Sequence, residues 1–219
     1  MPMILRVLHD TTPIPYEEAL IRQYELHERR LANEIPDTLW LLEHPPVITT
    51  GLRENQDRNI LINPFTRGVS VVNTDRGGEV TYHGPGQLVG YLIASIEAHR
   101  YRVRTFVENI ETSFIHHFAD VHDIDAKTRP KHTGVWVGND KITAIGIALK
   151  KKVTLHGFAY NVNTNLSHFD WIVPCGIHDG GVTSLEKLTG SVHNLAVEAH
   201  AVMRALGESL GYNKLEINL

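Results

Sequence analysis

The chain of 219 residues has a single cysteine, Cys175. A lone thiol cannot close an internal disulfide, and it cannot build a cysteine-rich zinc site. No apolar run approaches the length of a membrane span. The first residues, Met-Pro-Met-Ile-Leu-Arg-Val-Leu, lack the basic head and long apolar stretch of a secretory signal. Neither sign of charge dominates: 21 basic against 25 acidic residues leave a formal -4, which gives no electrostatic case for nucleic acid. There is no repeat, no low-complexity segment and no linker-like stretch. These absences predict one domain, residues 1–219, working in the cytoplasm with neither nucleic acid nor membrane as a partner.

What is present reads as alternating strands and helices. Residues 4–8 form an opening strand. Apolar or amphipathic residues at 16, 19, 20, 23, 24, 27 and 31 follow the helical period and predict a helix over 16–31. Strands are expected at 38–43, 47–50, 69–73, 88–96 and 153–160. A hairpin joins 134–138 to 141–149 through a turn at Asn139 and Asp140. Thr105 with Glu108, and Thr183 with Glu186, have the spacing of capping boxes, and a longer helix closes the chain over 192–210. Residues 52–59 are polar and charged, as a loop would be. Strands outnumber helices and many neighbours are hairpin-connected. The fold class is therefore α+β, a mixed or mostly antiparallel sheet with packed helices.

Three features can carry chemistry. Cys175 lies in Ile-Val-Pro-Cys-Gly-Ile; inert burial is the usual fate of a free cysteine, but here proline and glycine constrain the backbone and can aim a side chain at a cleft. A reactive thiol also needs a cation or base to form thiolate at neutral pH. Lys141 meets that need: it opens an apolar strand, and a partly desolvated lysine is a usable base. The alternative for Lys141 is an exposed hairpin lysine beside Asp140. The run Arg76-Gly-Gly-Glu-Val-Thr-Tyr-His-Gly-Pro-Gly-Gln87 has neither P-loop nor dinucleotide spacing. Its glycines let backbone approach a ligand while Arg76, Thr81, Tyr82 and His83 supply polar groups; the alternative is a plain surface turn. Fourteen histidines raise the question of metal. The densest group, His116, His117 and His122, includes adjacent residues that point about 100° apart on a helix, so no metal site is expected.

Those motifs resemble the lipoyl(octanoyl) transferases. The resemblance rests on the 76–87 run, on Lys-Ile-Thr-Ala-Ile-Gly from Lys141 with His-Gly-Phe-Ala from His156, and on the Cys175 segment with Gly-Val-Thr-Ser from Gly181. A weaker block runs from Leu39 to Gly51. The resemblance implies the biotin/lipoyl protein ligase fold and a dyad of Cys175 and Lys141. It implies substrate-binding segments at Arg76, Gly77, Gly78, Glu79, Val80, Thr81, Tyr82 and His83, at Ala144, Ile145 and Gly146, and at Gly157, Phe158 and Ala159. Two positions depart from the family: Glu79 replaces a more usual glutamine and Tyr160 a usual leucine, and both bear on the shape of the pocket.

The implied reaction is acyl transfer without ATP or metal. Octanoyl would pass from the phosphopantetheine arm of acyl carrier protein to Cys175, and then to a lysine of the lipoyl domains of 2-oxoacid dehydrogenase E2 subunits and the glycine cleavage H protein. Backbone N–H groups near Gly146 and Gly157 are the expected oxyanion donors. Lys150, Lys151 and Lys152 are either a docking patch for acidic carrier domains or a solubilising charge run. An ATP-dependent lipoate or biotin ligase of the same fold is the rival reading, and it would need no cysteine. A transfer of octanoyl between two lipoyl domains, or a non-catalytic acyl-binding protein, are the others.

Overall fold

Apolar residues fill both parities of the central strands, as a sheet covered on two faces requires. The computed structural model describes residues 3–52, 59–99, 102–130, 132–173 and 180–218. Among these, nine strands form one sheet: β1 (Ile4–His9), β2 (Asp37–Leu42), β6 (Gln87–Ile93), β7 (Lys127–Arg129), β8 (His132–Val137), β9 (Asp140–Lys150), β10 (Val153–Asn161), β11 (Gly181–Val182) and β12 (Lys214–Asn218). Their order is β12-β1-β2-β6-β10-β9-β8-β7, with β11 beside β9. β1 runs parallel to β2 and β12, and β11 parallel to β9, while the other pairs are antiparallel. A smaller sheet has the order β4-β3-β5, from β3 (Val47–Thr50), β4 (Ser70–Asn73) and β5 (Thr81–His83). The mixed sheet with packed helices is the α+β class expected.

Side chains alternate across each strand, and the alternation divides the core in two. Leu39 and Leu41 of β2 pack with Phe106, Ile110 and Phe114 of α3 (Val103–His122) and Val202 and Leu206 of α5 (Leu195–Ser209). Trp40 and Leu42 turn to the opposite face, under Tyr16, Ala19 and Leu26 of α1 (Tyr16–Leu31). A third cluster joins Ile48, Val80 and Tyr82 of the small sheet to Phe169 and Ile172, beside the 3-10 turn Leu166–Trp171. The short α2 (Pro64–Arg67) precedes β4, and α4 (Leu185–Thr189) precedes α5.

Local signals placed the elements well and their caps less well. α3 starts two residues before Thr105; Arg102 holds the N-cap position, and Glu108 pairs with Arg104 at 2.8 Å rather than closing a capping box. Ser184, not Thr183, caps α4 by accepting from the Lys187 N–H at 3.1 Å. The β8–β9 turn is Gly138–Asn139, one residue earlier than expected, because Gly138 adopts φ 58° and glycine reaches that region without strain. β12 was not anticipated; its pairing partner β1 is more than two hundred positions away, and no local pattern encodes that. Most of the 52–59 loop, residues 53–58, lies outside the described residues. No helix among those described is long and apolar enough to cross a membrane.

One packing constraint is narrow. The Phe158 ring of β10 lies over Gly90 of β6, and a Cβ added to Gly90 would stand 2.9 Å from Phe158 Cε2 and closer still to its neighbours. Gly90→Ala is expected to cost about 1–3 kcal/mol by overpacking, read as a lower urea midpoint. Wild-type stability in that variant would contradict this packing.

Candidate active site

The glycine-rich run folds back against the large sheet because glycine meets glycine. Gly77 N–H donates to the Ile147 carbonyl at 3.4 Å, and a Cβ on Gly146 would stand 2.8 Å from the Gly77 carbonyl oxygen. Gly78, at φ 87°, lets the chain turn away again. The space left between this loop, the sheet and the start of α3 is a cavity of about 370 Å³. Twelve of the residues singled out from the sequence as substrate-binding line it: Arg76, Gly77, Gly78, Glu79, Thr81, His83, Ala144, Ile145, Gly146, Gly157, Phe158 and Ala159. Lys141 lines it too. Val80 and Tyr82 do not. They have the opposite parity, and they pack into the third cluster, with the Tyr82 hydroxyl 2.6 Å from His168 Nδ1.

Lys141 stands at a junction. Its ammonium donates to the Thr133 carbonyl at 3.0 Å and lies 4.8 Å from the centre of the Trp136 ring. A register shift between Val135 and Trp136 places Lys141 opposite Trp136, and such bulges re-aim side chains next to sites. On its other side Lys141 pairs with Val182, and its carbonyl accepts from the Thr183 N–H at 3.0 Å. A narrow space of about 30 Å³ also touches Lys141 and is bounded by Gly180, Gly181 and Val182. Cys175, the other member of the expected dyad, lies outside the described residues, in the segment 174–179. That segment ends where Gly180 and Gly181 return to the sheet beside Lys141.

Beneath the cavity a polar network fixes proton positions. Arg76 donates to the Thr49 side-chain oxygen at 3.2 and 2.9 Å, to the Thr49 carbonyl at 2.8 Å and to the Gly77 carbonyl at 3.1 Å. Its guanidinium therefore braces the loop. Gln87 donates to the Asn161 side-chain oxygen at 2.9 Å, which turns its own oxygen to His83 Nδ1 at 2.8 Å. His83 accordingly carries its proton on Nδ1 and keeps Nε2 as a lone pair, 3.4 Å from the Thr49 hydroxyl. Burial, with Arg76 and His44 nearby, holds His83 well below the ordinary imidazole range.

His44 follows the same logic. Its Nδ1 donates to the Ile14 carbonyl at 2.6 Å and its Nε2 accepts from the Tyr91 hydroxyl at 2.6 Å. Burial lowers its pKa to about 4. Tyr16 stacks on His83 with ring centres 5.7 Å apart, and burial raises its phenol to about 12. Tyr91, Val89, Val103, Val107, His132 and Thr133 also line the cavity. Sequence reasoning did not single them out, because a residue's place in a strand or helix carries no signal of which cavity it faces.

Two expectations change. Gly157 pairs with Tyr91 on one side and Gly146 on the other, so its amide belongs to the sheet ladder, not to an oxyanion hole. A Cβ there would collide with the Gly90 carbonyl, which is why the position is glycine. Tyr160 turns away from the cavity, into the α3–α5 core, and donates to Glu198 at 3.1 Å. The lysine run is also partly neutralised: Lys150 bonds Asp75, and Lys152 pairs with Glu97 at 2.7 Å. Asp75 in turn takes Tyr24 at 3.0 Å and His156 at 2.7 Å; Lys150 first, then His156 and Tyr24, hold its carboxyl well below the usual range despite partial burial.

Comparison with known proteins identifies the family and the fold. The family model of the lipoyl protein ligase A/B catalytic domain matches residues 15–210. An octanoyltransferase of Caldicellulosiruptor saccharolyticus is 50% identical over 202 residues, covering 90% of this chain and 86% of that one. An octanoyltransferase of Alkaliphilus metalliredigens is 47% identical over 204 residues, covering 92% and 93%. Among solved structures, a lipoate-protein ligase A bound with ATP superposes with a TM-score of 0.71 at 16% identity, covering 99% of this chain and 88% of that one; at that identity the likeness shows the fold alone. With its biotin/lipoyl ligase fold and relatives at half identity over most of its length, the chain belongs to the lipoyl(octanoyl) transferase family.

Proposed function

We propose that this protein transfers an octanoyl group from octanoyl-acyl carrier protein, through a thioester on Cys175, to a lysine of lipoyl domains. The relatives named octanoyltransferase support octanoyl transfer in protein lipoylation. The observation that carries the reading further is the position of Lys141. It lies at the wall of the cavity, next to the strand on which the chain returns from the Cys175 segment. The cavity is apolar along Val103, Val107, Ile145 and Phe158, and each methylene removed from water there contributes about 0.8 kcal/mol, less the cost of ordering the chain.

In the first step the Cys175 thiolate attacks the octanoyl carbonyl carbon, and the phosphopantetheine thiolate leaves and takes up a proton. In the second, the neutral amine of the acceptor lysine attacks the enzyme thioester, and the Cys175 thiolate leaves as the amide forms. Lys141 as ammonium stabilises the thiolate. As neutral amine it accepts the proton that the acceptor lysine must lose. A thioester supplies the energy of the amide, so the reaction as proposed needs neither ATP nor metal. The lone pair on His83 Nε2 faces the Thr49 hydroxyl, so that ring shapes the cavity wall and holds Thr49 in place. The partners are acyl carrier protein on one side, and on the other the lipoyl domains of 2-oxoacid dehydrogenases and the glycine cleavage H protein. A cytoplasmic setting fits a single thiol used as a nucleophile. With Lys150 and Lys152 held by acidic neighbours, Lys151 is the member of the run with no ion pair among those described, which weakens the case for a docking patch.

Incubation with octanoyl-acyl carrier protein without ATP is expected to add one octanoyl group to the intact protein, removable by hydroxylamine. Cys175→Ser should show no thioester adduct, and Lys141→Ala should lose at least 10²-fold in turnover, the scale of a positioned acid–base group. Octanoylation that appears only with free octanoate and ATP, and survives Cys175→Ser, would move the protein to the ligase chemistry.

The buried histidines set a pH dependence of stability. The unfolded chain binds protons at His44 near the ordinary value of about 6.5, whereas the folded His44 resists until about 4. Its contribution is complete above the unfolded value and is lost as pH falls from there toward 4. The slope is about 1.4 kcal/mol per pH unit for one proton. Urea unfolding between pH 6.5 and 4.5 should therefore show a shallower slope in His44→Asn by about that amount. An unchanged slope would mean that His44 is not held neutral.

A further inference from the structure

The densest histidine group lies outside the cavity, and one carboxylate organises it. His117 Nε2 stands 3.0 Å from Glu198 Oε2, and His122 Nε2 stands 3.2 Å from the same oxygen. The donor atoms of these three side chains all lie within 4.8 Å of one another. His117 and Glu198 are each 3% exposed, and the His122 side chain is 9% exposed. The Tyr160 hydroxyl donates to Glu198 Oε2 at 3.1 Å. His116 is exposed and takes no part. The adjacency of His116 and His117 was the reason to expect no metal; the structure pairs His117 with His122, one turn and a half along α3, and brings Glu198 across from α5.

We propose that His117, His122 and Glu198 form a structural zinc site that ties the C-terminal end of α3 to α5. Two imidazoles and a carboxylate are a donor set that zinc accepts, and a tetrahedral ion with ligands at about 2.0–2.1 Å sets its donor atoms about 3.3 Å apart. The two nitrogen–oxygen separations, 3.0 and 3.2 Å, are already close to that edge. The metal takes the place of the two imidazole–carboxylate hydrogen bonds. Each neutral imidazole then carries its proton on Nδ1 and offers Nε2 as the ligand, so no net proton need be released from the rings. Three protein ligands leave a fourth position for water. Tyr160 acts from behind: its hydroxyl orients the Glu198 carboxylate, as groups hydrogen-bonded to metal ligands do. That gives the tyrosine, which replaces the family's usual leucine, a role unconnected with the pocket.

The test uses the Cys175→Ser protein, so that the single thiol cannot bind metal, stripped with chelator and titrated with zinc against a chromogenic chelator. One tight site is expected, with a rise in the thermal midpoint on adding one equivalent, and cobalt should give the visible absorption of a four-coordinate ion. His122→Gln, which changes the more exposed of the two imidazoles and keeps a hydrogen-bonding amide there, should abolish the tight site. Tyr160→Phe should weaken it by about 10–100-fold. Absence of a tight site in the parent, or equal affinity in His122→Gln, would overturn the proposal and leave the cluster as a hydrogen-bonded pin between two helices.

Discussion

The site depends on backbone approaching backbone where no side chain intervenes. Gly146 lets the Gly77 carbonyl come down on β9, and Gly157 lets the Gly90 carbonyl lie against β10. Gly90 itself makes room for the Phe158 ring. With a Cβ at any of these positions, the 76–79 loop would stand off the sheet or the floor of the cavity would buckle. Glycine in a strand usually weakens it, so three of them in neighbouring strands exchange local stability for a shaped space. The large cores on both faces of the sheet supply the rigidity that this exchange consumes.

The same economy governs the polar groups around the cavity. Arg76 would be costly to bury alone, yet its guanidinium is satisfied by Thr49 and the Gly77 carbonyl. Through Thr49 it reaches His83, and through Gln87 and Asn161 the chain of hydrogen bonds continues to the Thr183 carbonyl. Thr183 in turn bonds the backbone of Lys141. The substrate loop and the lysine expected to do the chemistry are thus held by one connected network, which fixes His83 in one tautomer while burial keeps its ring neutral.

Much of this was legible in the sequence, for reasons that can be named. The helix over 16–31 showed its period directly, and the glycine-rich run announced close backbone approach. What escaped notice depends on distant partners. β12 pairs with β1 from the far end of the chain, Tyr91 and His44 meet only because β6 lies next to β2, and Glu198 reaches His117 from another helix. Val80 and Tyr82 were read as part of a binding loop, but β5 is a strand, and strand parity sends them to the other face. Gly157 was read as an oxyanion donor because glycine permits approach; in the structure it permits the approach of Gly90 instead.

The fold by itself does not choose between transfer and ligation, since the same architecture appears in a lipoate-protein ligase bound with ATP. The choice rests on whether Cys175 is a nucleophile activated by Lys141. The most direct measurement is the pH dependence of Cys175 alkylation by iodoacetamide, in the wild-type protein and in Lys141→Gln, with no substrate present. If Lys141 holds the thiolate, the wild-type thiol titrates below the free value of about 8.5, and the variant returns toward or above it. Superimposable profiles in the two proteins would contradict the dyad.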